Sequence, residues 1–125
     1  MKDYKVEIKS CSKELTARER IQLKDLTNAV KIEPLTEVEP LVIPIAFHAE
    51  LHVINPASED KEYDTFVLVD HEGNKFYSGS ESLWSSYINI YDELVDAGEE
   101  DFAISITRLP SKKREGKHFL TCSLV

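Results

Sequence analysis

The chain runs to 125 residues and 14.3 kDa, enough to bury about two thirds of its unfolded surface in one core without disulfides or metal, and too little for a two-domain enzyme. A composition of 42% hydrophobic, 9% aromatic and 30% charged residues excludes disorder and collagen-like repetition, and no run approaches the roughly 18 apolar residues of a membrane-spanning helix. The net charge of −8 argues, on average, against nucleic acid. Its distribution reads differently: residues 1–32 hold eight Lys/Arg against five Asp/Glu, residues 33–101 two against seventeen, and residues 102–125 five against one.

In chain order, Met1-Lys2-Asp3-Tyr4-Lys5 carries charge with no apolar stretch behind it, so no secretory signal and a cytoplasmic address are expected. Cys11 and Cys122 lack Cys-x-x-Cys spacing and are expected as free thiols. Tyr4, Val6 and Ile8 alternate with Lys5, Glu7 and Lys9, a half-buried strand. Thr16 to Glu19 has the spacing of a capping box, yet Ile21 and Leu23 alternate with Arg20, Gln22 and Lys24, so helix and strand both stand open there. Pro34 and Pro40 flank an acidic stretch that reads as a loop.

From Leu41 the pattern is β. Phe47, Ala49, Leu51 and Val53 share one face and His48, Glu50 and His52 the other, with Pro44 suggesting an edge or a bulge. Residues 55–60 read as a turn. Tyr63, Thr65, Val67 and Val69 lie on a strand apolar enough on both faces to be central, and residues 70–74 close a hairpin in which Gly73 is free to take positive φ. Lys75-Phe76-Tyr77 begins the return strand. Residues 81–97 carry Leu83, Trp84, Tyr87, Ile88, Tyr91, Leu94 and Val95 at helical spacing, with Ser80 or Ser82 to cap the start and Gly98 to end it. Two further alternating segments, at Phe102, Ile104, Ile106 and at His118, Leu120, Cys122, Leu124, enclose a basic turn.

A single helix between the third and fourth strands of an antiparallel meander is the element order of an OB-fold barrel. The expected fold is therefore mainly β with one α-helix, an OB-fold-like antiparallel barrel with the helix inserted before the last hairpin. One domain, 1–125, is expected, with residues 41–125 as the barrel core and residues 1–40 as an N-terminal strand and turn region.

Among chemistry-bearing groups, His48, Glu50 and His52 fall on one strand face, a possible metal triplet that exposed polar residues explain equally. No nucleophile elbow, phosphate-cradling glycine loop or Cys-x-x-Cys knuckle is present, so no catalytic residue, cofactor or metal is assigned. The acids of residues 92–101 lack calcium-loop spacing; carboxylates at a helix C-terminus oppose the helix dipole, which fits a partner site or a mimic of nucleic-acid charge as well as a solvated face. Lys75-Phe76-Tyr77 and Lys117-His118-Phe119 place a cation beside rings, a pattern suited to an unstacked base and its phosphate. Arg108, Lys112, Lys113, Arg114 and Lys117 form the tightest basic cluster.

The run Asp70-His71-Glu72-Gly73-Asn74-Lys75-Phe76-Tyr77-Ser78, the Ser-initiated helix, Asp101-Phe102-Ala103-Ile104-Ser105-Ile106, and the segment Pro110-Ser111-Lys112-Lys113-Arg114-Glu115-Gly116-Lys117-His118-Phe119-Leu120 together resemble the small single-stranded DNA-binding proteins of short-tailed, protein-primed bacteriophages and related phage proteins. The resemblance covers about residues 45–125 and implies an OB-like, non-enzymatic domain that coats displaced single strands during replication in the host cytoplasm. It implies base stacking at Tyr77, with Phe76 or Phe119, beside Lys75, and phosphate contacts from Arg108, Lys112, Lys113, Arg114 and Lys117. Replication proteins are expected, if recruited, at the acidic segment 92–101. The competing expectation, resting on the acidic middle of the chain, is a protein-interaction or DNA-mimic module with a basic or host protein partner.

Overall fold

The computed structural model describes residues 4–57, 61–99, 101–110 and 118–125. Of these, 47% are in strands and 25% in helices, and a single long helix accounts for most of the latter, so the protein is mainly β and compatible with an OB-fold-like barrel. Two compact units divide it, each assembled from two stretches of chain: Met1–Val30 with Phe47–Gly79, and Lys31–Ala46 with Ser80–Val125. The 14-residue strand β3, Leu41–Ile54, contributes its second half to the first unit and its first half to the second.

The first unit holds β1 (Lys5–Cys11), α1 (Ala17–Lys24), β4 (Glu62–Asp70) and β5 (Lys75–Ser78) around the second half of β3. Strict alternation along β3 turns Ala49, Leu51 and Val53 fully inward. β1 lies antiparallel to it, Val6 opposite Val53 and Ile8 opposite Leu51, and the register shifts between Ile8 and Ser10. The core comprises Val6, Leu23, Ala49, Leu51, Val53, Val67 and Val69, whose larger members each contribute about 1.5–3 kcal/mol by leaving water. β4 is buried on both faces from Thr65 to Val69, as expected of a central strand, and it lies between β3 and β5. At the β4–β5 turn the Asp70 carboxylate accepts from the Glu72 and Asn74 backbone N–H groups and from the Asn74 side chain, while Gly73 adopts φ 87°.

The two readings left open at residues 16–24 resolve to a helix. The Thr16 hydroxyl accepts from the Glu19 N–H at 3.2 Å and the Glu19 carboxylate accepts from the Thr16 N–H at 3.0 Å, so the capping box is complete. Only Leu23 of this helix is buried, and Ile21 is 68% exposed. Its apparent alternation therefore came from one core contact and one solvated residue.

The second unit holds α2 (Ile32–Leu35), the first half of β3, α3 (Glu81–Asp96), β6 (Phe102–Pro110) and β7 (His118–Leu124); β2 is the two-residue strand Val30–Lys31 before α2. The start of the expected acidic loop is thus one helical turn, which Pro34 tolerates because the first turn of a helix has N–H groups without intrahelical partners. β3, β6 and β7 are antiparallel neighbours in that order, Ile43 opposite Ile104 and Ile106 opposite Cys122. Pro44 sits in regular register opposite Ala103, so of the edge or bulge expected there no bulge interrupts the pairing with β6; the register shift in β1 is a separate feature, between Ile8 and Ser10.

α3 follows its sequence pattern. Ser80 accepts from the Leu83 N–H, Leu83 and Tyr87 are buried, and Gly98 at φ 77° ends the helix, with N–H groups of Gly98 and Glu99 returning to the Val95 and Leu94 carbonyls. Tyr87 stacks between Trp84 at 5.3 Å and Tyr91 at 6.2 Å and lies 6.3 Å from the Phe102 ring. Burial raises its phenol far above the usual tyrosine range. Two hydroxyls fasten α3 to the last strand: Ser82 donates to the Leu120 carbonyl at 2.9 Å, and the Ser86 and Thr121 hydroxyls meet at 2.8 Å.

Candidate functional site

The expected site residues distribute over both units. Lys75, Phe76 and Tyr77 belong to the first, Arg108 and Phe119 to the second, and Lys112, Lys113, Arg114 and Lys117 lie outside the described residues.

In the second unit, hairpin register puts Arg108 opposite Leu120, Leu109 opposite Phe119 and Pro110 opposite His118. Directly opposed residues share a face, so Leu109 and Phe119 form a cross-strand pair, and at 42% and 39% exposure both are open to solvent. Arg108 points to the other face, where Nη2 donates to the Glu33 carbonyl at 2.7 Å. A groove of about 510 Å³ runs between this strand end and the segment after α2; its walls include Arg108, Leu109 and His118 on one side and Glu37, Val38 and Glu39 on the other. The acidic segment after α2 is therefore part of this surface, although nothing in its local pattern pointed there. Leu109 was also missed, since its partnership with Phe119 emerges only once the register is known.

In the first unit, Tyr77 lies opposite Val67 and packs half-buried against the core, while Phe76 lies opposite Leu68 and is also half-buried. The Lys75 ammonium donates to the Gln22 carbonyl at 2.6 Å and to that of Asp25, so it serves the C-terminal end of α1. A cation there matches the negative end of the helix dipole.

The histidine-bearing face of β3 also lies in the first unit. His48 is 6% exposed, and burial pushes its imidazole down to about 4. Its backbone N–H donates to the Ser12 hydroxyl at 2.9 Å and its carbonyl accepts from the Ser12 N–H at 3.0 Å. His52 is different: Nδ1 lies 2.8 Å from Asp64 and Nε2 3.3 Å from Glu62, and these carboxylates raise its pKa, Asp64 foremost. Asp64 is held below the usual carboxylate range by His52 first and then by Lys9, whose ammonium is 3.0 Å away. Lys9 also approaches Glu50 at 3.8 Å. The sequence showed the alternating triplet but not the cross-strand partners that make His52 part of an ion network. Among the described residues no three His, Cys, Asp or Glu side chains converge on a metal position.

Asp92, Glu93 and Asp96 lie exposed near the end of α3, whose last turn contains no basic residue. Cys11 and Cys122 are free thiols, and burial pushes that of Cys122 up to about 11. Among the described residues no helix is long and apolar enough to cross a membrane. Compared with protein-family models, curated proteins and solved structures, the chain matches none.

Proposed function

We propose that the protein is a non-enzymatic, largely sequence-independent single-stranded DNA-binding protein acting in phage DNA replication. The observation that supports this reading best is the end of the β6–β7 pair. There an exposed ring and an exposed leucine, Phe119 and Leu109, stand in register, with Arg108 and His118 as chain neighbours on the opposite face. The seven residues joining these strands contain Lys112, Lys113, Arg114 and Lys117. Cations beside an open ring suit a flexible single strand, which offers phosphates at regular intervals and unpaired bases with free π-faces, each stacked base being worth about 1–3 kcal/mol.

The test is a titration with oligo-dT and with duplex DNA of equal length at several salt concentrations, followed by intrinsic fluorescence. Preferential binding of oligo-dT, weakening as salt rises, is expected. Replacing Lys112, Lys113 and Arg114 together with Ala should lower affinity at low salt and flatten the slope of log K against log salt by about 2, because each single-strand phosphate deprived of its cation takes about 0.7 from that slope. Unchanged affinity in that triple variant would sink the phosphate-binding role. Absence of oligo-dT binding together with capture of a basic protein would favour the competing reading, an interaction or DNA-mimic module, for which the seventeen acids between residues 33 and 101 are the ground.

A further inference from the structure

We infer that His52 is a proton-operated clasp across the turn end of β3 and β4, closed when its ring is charged and half-released when the ring is neutral. The device is independent of the nucleic-acid reading. It stands on donors and acceptors around one side chain: Nδ1 lies 2.8 Å from Asp64 and Nε2 3.3 Å from Glu62. An ionised carboxylate only accepts, and a neutral imidazole has one N–H and one lone pair, so both contacts are hydrogen bonds only for the imidazolium. Loss of the proton sets a lone pair against one of the carboxylates, and the surroundings decide which. Asp64 is nearer the ring and is also held by the Lys9 ammonium at 3.0 Å, whereas Glu62 has the longer contact and is half exposed. Glu62 is therefore the arm that lets go.

Lys9 reaches this face because it is the extra residue where β1 shifts register against β3 between Ile8 and Ser10, and a bulge re-aims the side chain it carries. The other charges facing the ring come from three elements. On β1, Glu7 lies opposite His52 and pairs with Lys5 at 3.1 Å, with Lys24 of α1 acting on Glu7 at longer range; on β3 itself, Glu50 lies 3.8 Å from Lys9. Asp64 foremost, and then Glu62, raise the pKa of the ring. The clasp is accordingly closed below the ordinary imidazole value of about 6.5 and opens as pH rises through the folded value. Its release acts where the two strands meet: the Asn55 N–H donates to the Lys61 carbonyl at 2.6 Å, and Glu62 is a wall of a cavity of about 280 Å³ that it shares with Ile54, Pro56 and Lys61. His48, on the same strand face, is buried with its imidazole pushed down to about 4, so it stays neutral in the folded protein over this range.

The experiment follows the His52 ring by NMR through a pH titration and measures amide hydrogen exchange, corrected for the intrinsic rate, at pH 6.5 and pH 8.5 on the parent protein, His52→Gln and Glu62→Gln, with thermal melting to verify folding. In the parent the ring should titrate above about 6.5, and protection of the Asn55 amide should fall about threefold between the two pH values, while the Ile104 and Ile106 amides of the second unit keep theirs. His52→Gln should abolish that pH dependence. Glu62→Gln should abolish it in the opposite sense, holding protection high at pH 8.5, because a carboxamide can donate to the lone pair of the neutral ring where a carboxylate cannot. A parent ring titrating at or below the ordinary value would overturn the clasp without recourse to any variant. So would an Asn55 amide whose protection ignores pH in the parent, or depends on it equally in all three proteins.

Discussion

Two imidazoles on one face of β3 titrate in opposite senses, because His48 is dry and His52 is ringed by carboxylates. For His48 the folded pKa of about 4 lies below the unfolded value. The unfolded chain therefore takes up a proton first, and stability falls as pH drops from about 6.5, levelling off below the folded value, a total of about 3 kcal/mol. His52 has a raised folded pKa, so its contribution is fully present below the ordinary imidazole value and disappears as pH rises through the folded one. Urea denaturation of His48→Gln should show a smaller loss of stability between pH 7 and pH 4.5 than the parent protein, by about 2 kcal/mol. Equal losses in the two proteins would mean that the buried ring does not govern that pH range. The face shared by these histidines was legible in the sequence as alternation; the difference between their environments was not, since it comes from the burial of His48 and from Glu62 and Asp64 beside His52.

Elements were legible where local pattern and tertiary packing agree. α3 has a cap, an apolar stripe and a terminating glycine, and its observed and expected bounds nearly coincide. α1 has the cap without the stripe, because a single buried leucine anchors it, and sequence alone left it undecided. Its stability accordingly rests on its ends: the capping box, the Lys13 ammonium 2.8 Å from Glu19, and Lys75 at the far carbonyls. Lys13 above all, with the Thr16 backbone, holds the Glu19 carboxyl down to about 2. Thr16→Ala should cost about 1 kcal/mol in a denaturation experiment. A change within error would mean that docking of Leu23, rather than the cap, sustains the helix. The turn at Ile32–Leu35 was read as loop because two prolines and three acids outweigh its single buried isoleucine in any local reckoning.

For the whole molecule, the mainly β class and a main helix ahead of the last two strands could be read from alternation and spacing; that helix, expected between the third and fourth strands of a meander, falls between the fifth and sixth, and the division into two units could not be read. That division turns on β3 exchanging partners along its length, β6 at Leu41–Ile45 and β1 at Ile54 back to Ala49, and no local pattern encodes which strand pairs with which. Both units are discontinuous in sequence, so neither corresponds to a contiguous fragment. Charge acts on this scale too. With a net charge of −8, self-repulsion weakens the folded state at low ionic strength, and salt shortens its reach to about 8 Å at 0.15 M. The melting temperature should therefore rise from low salt to 0.15 M salt. A fall would instead assign the larger share to ion pairs such as Lys9 with Asp64.

The hydroxyl that Ser82 lends to the Leu120 carbonyl has a bearing on how the protein survives at high concentration. β7 is the terminal strand of its path, and a terminal strand normally displays unmatched amide groups that recruit further strands into fibrils. With α3 laid along it and one of its acceptors occupied, β7 is a guarded border instead of a template. Molecules can then crowd together at high concentration without polymerising through this edge of the sheet.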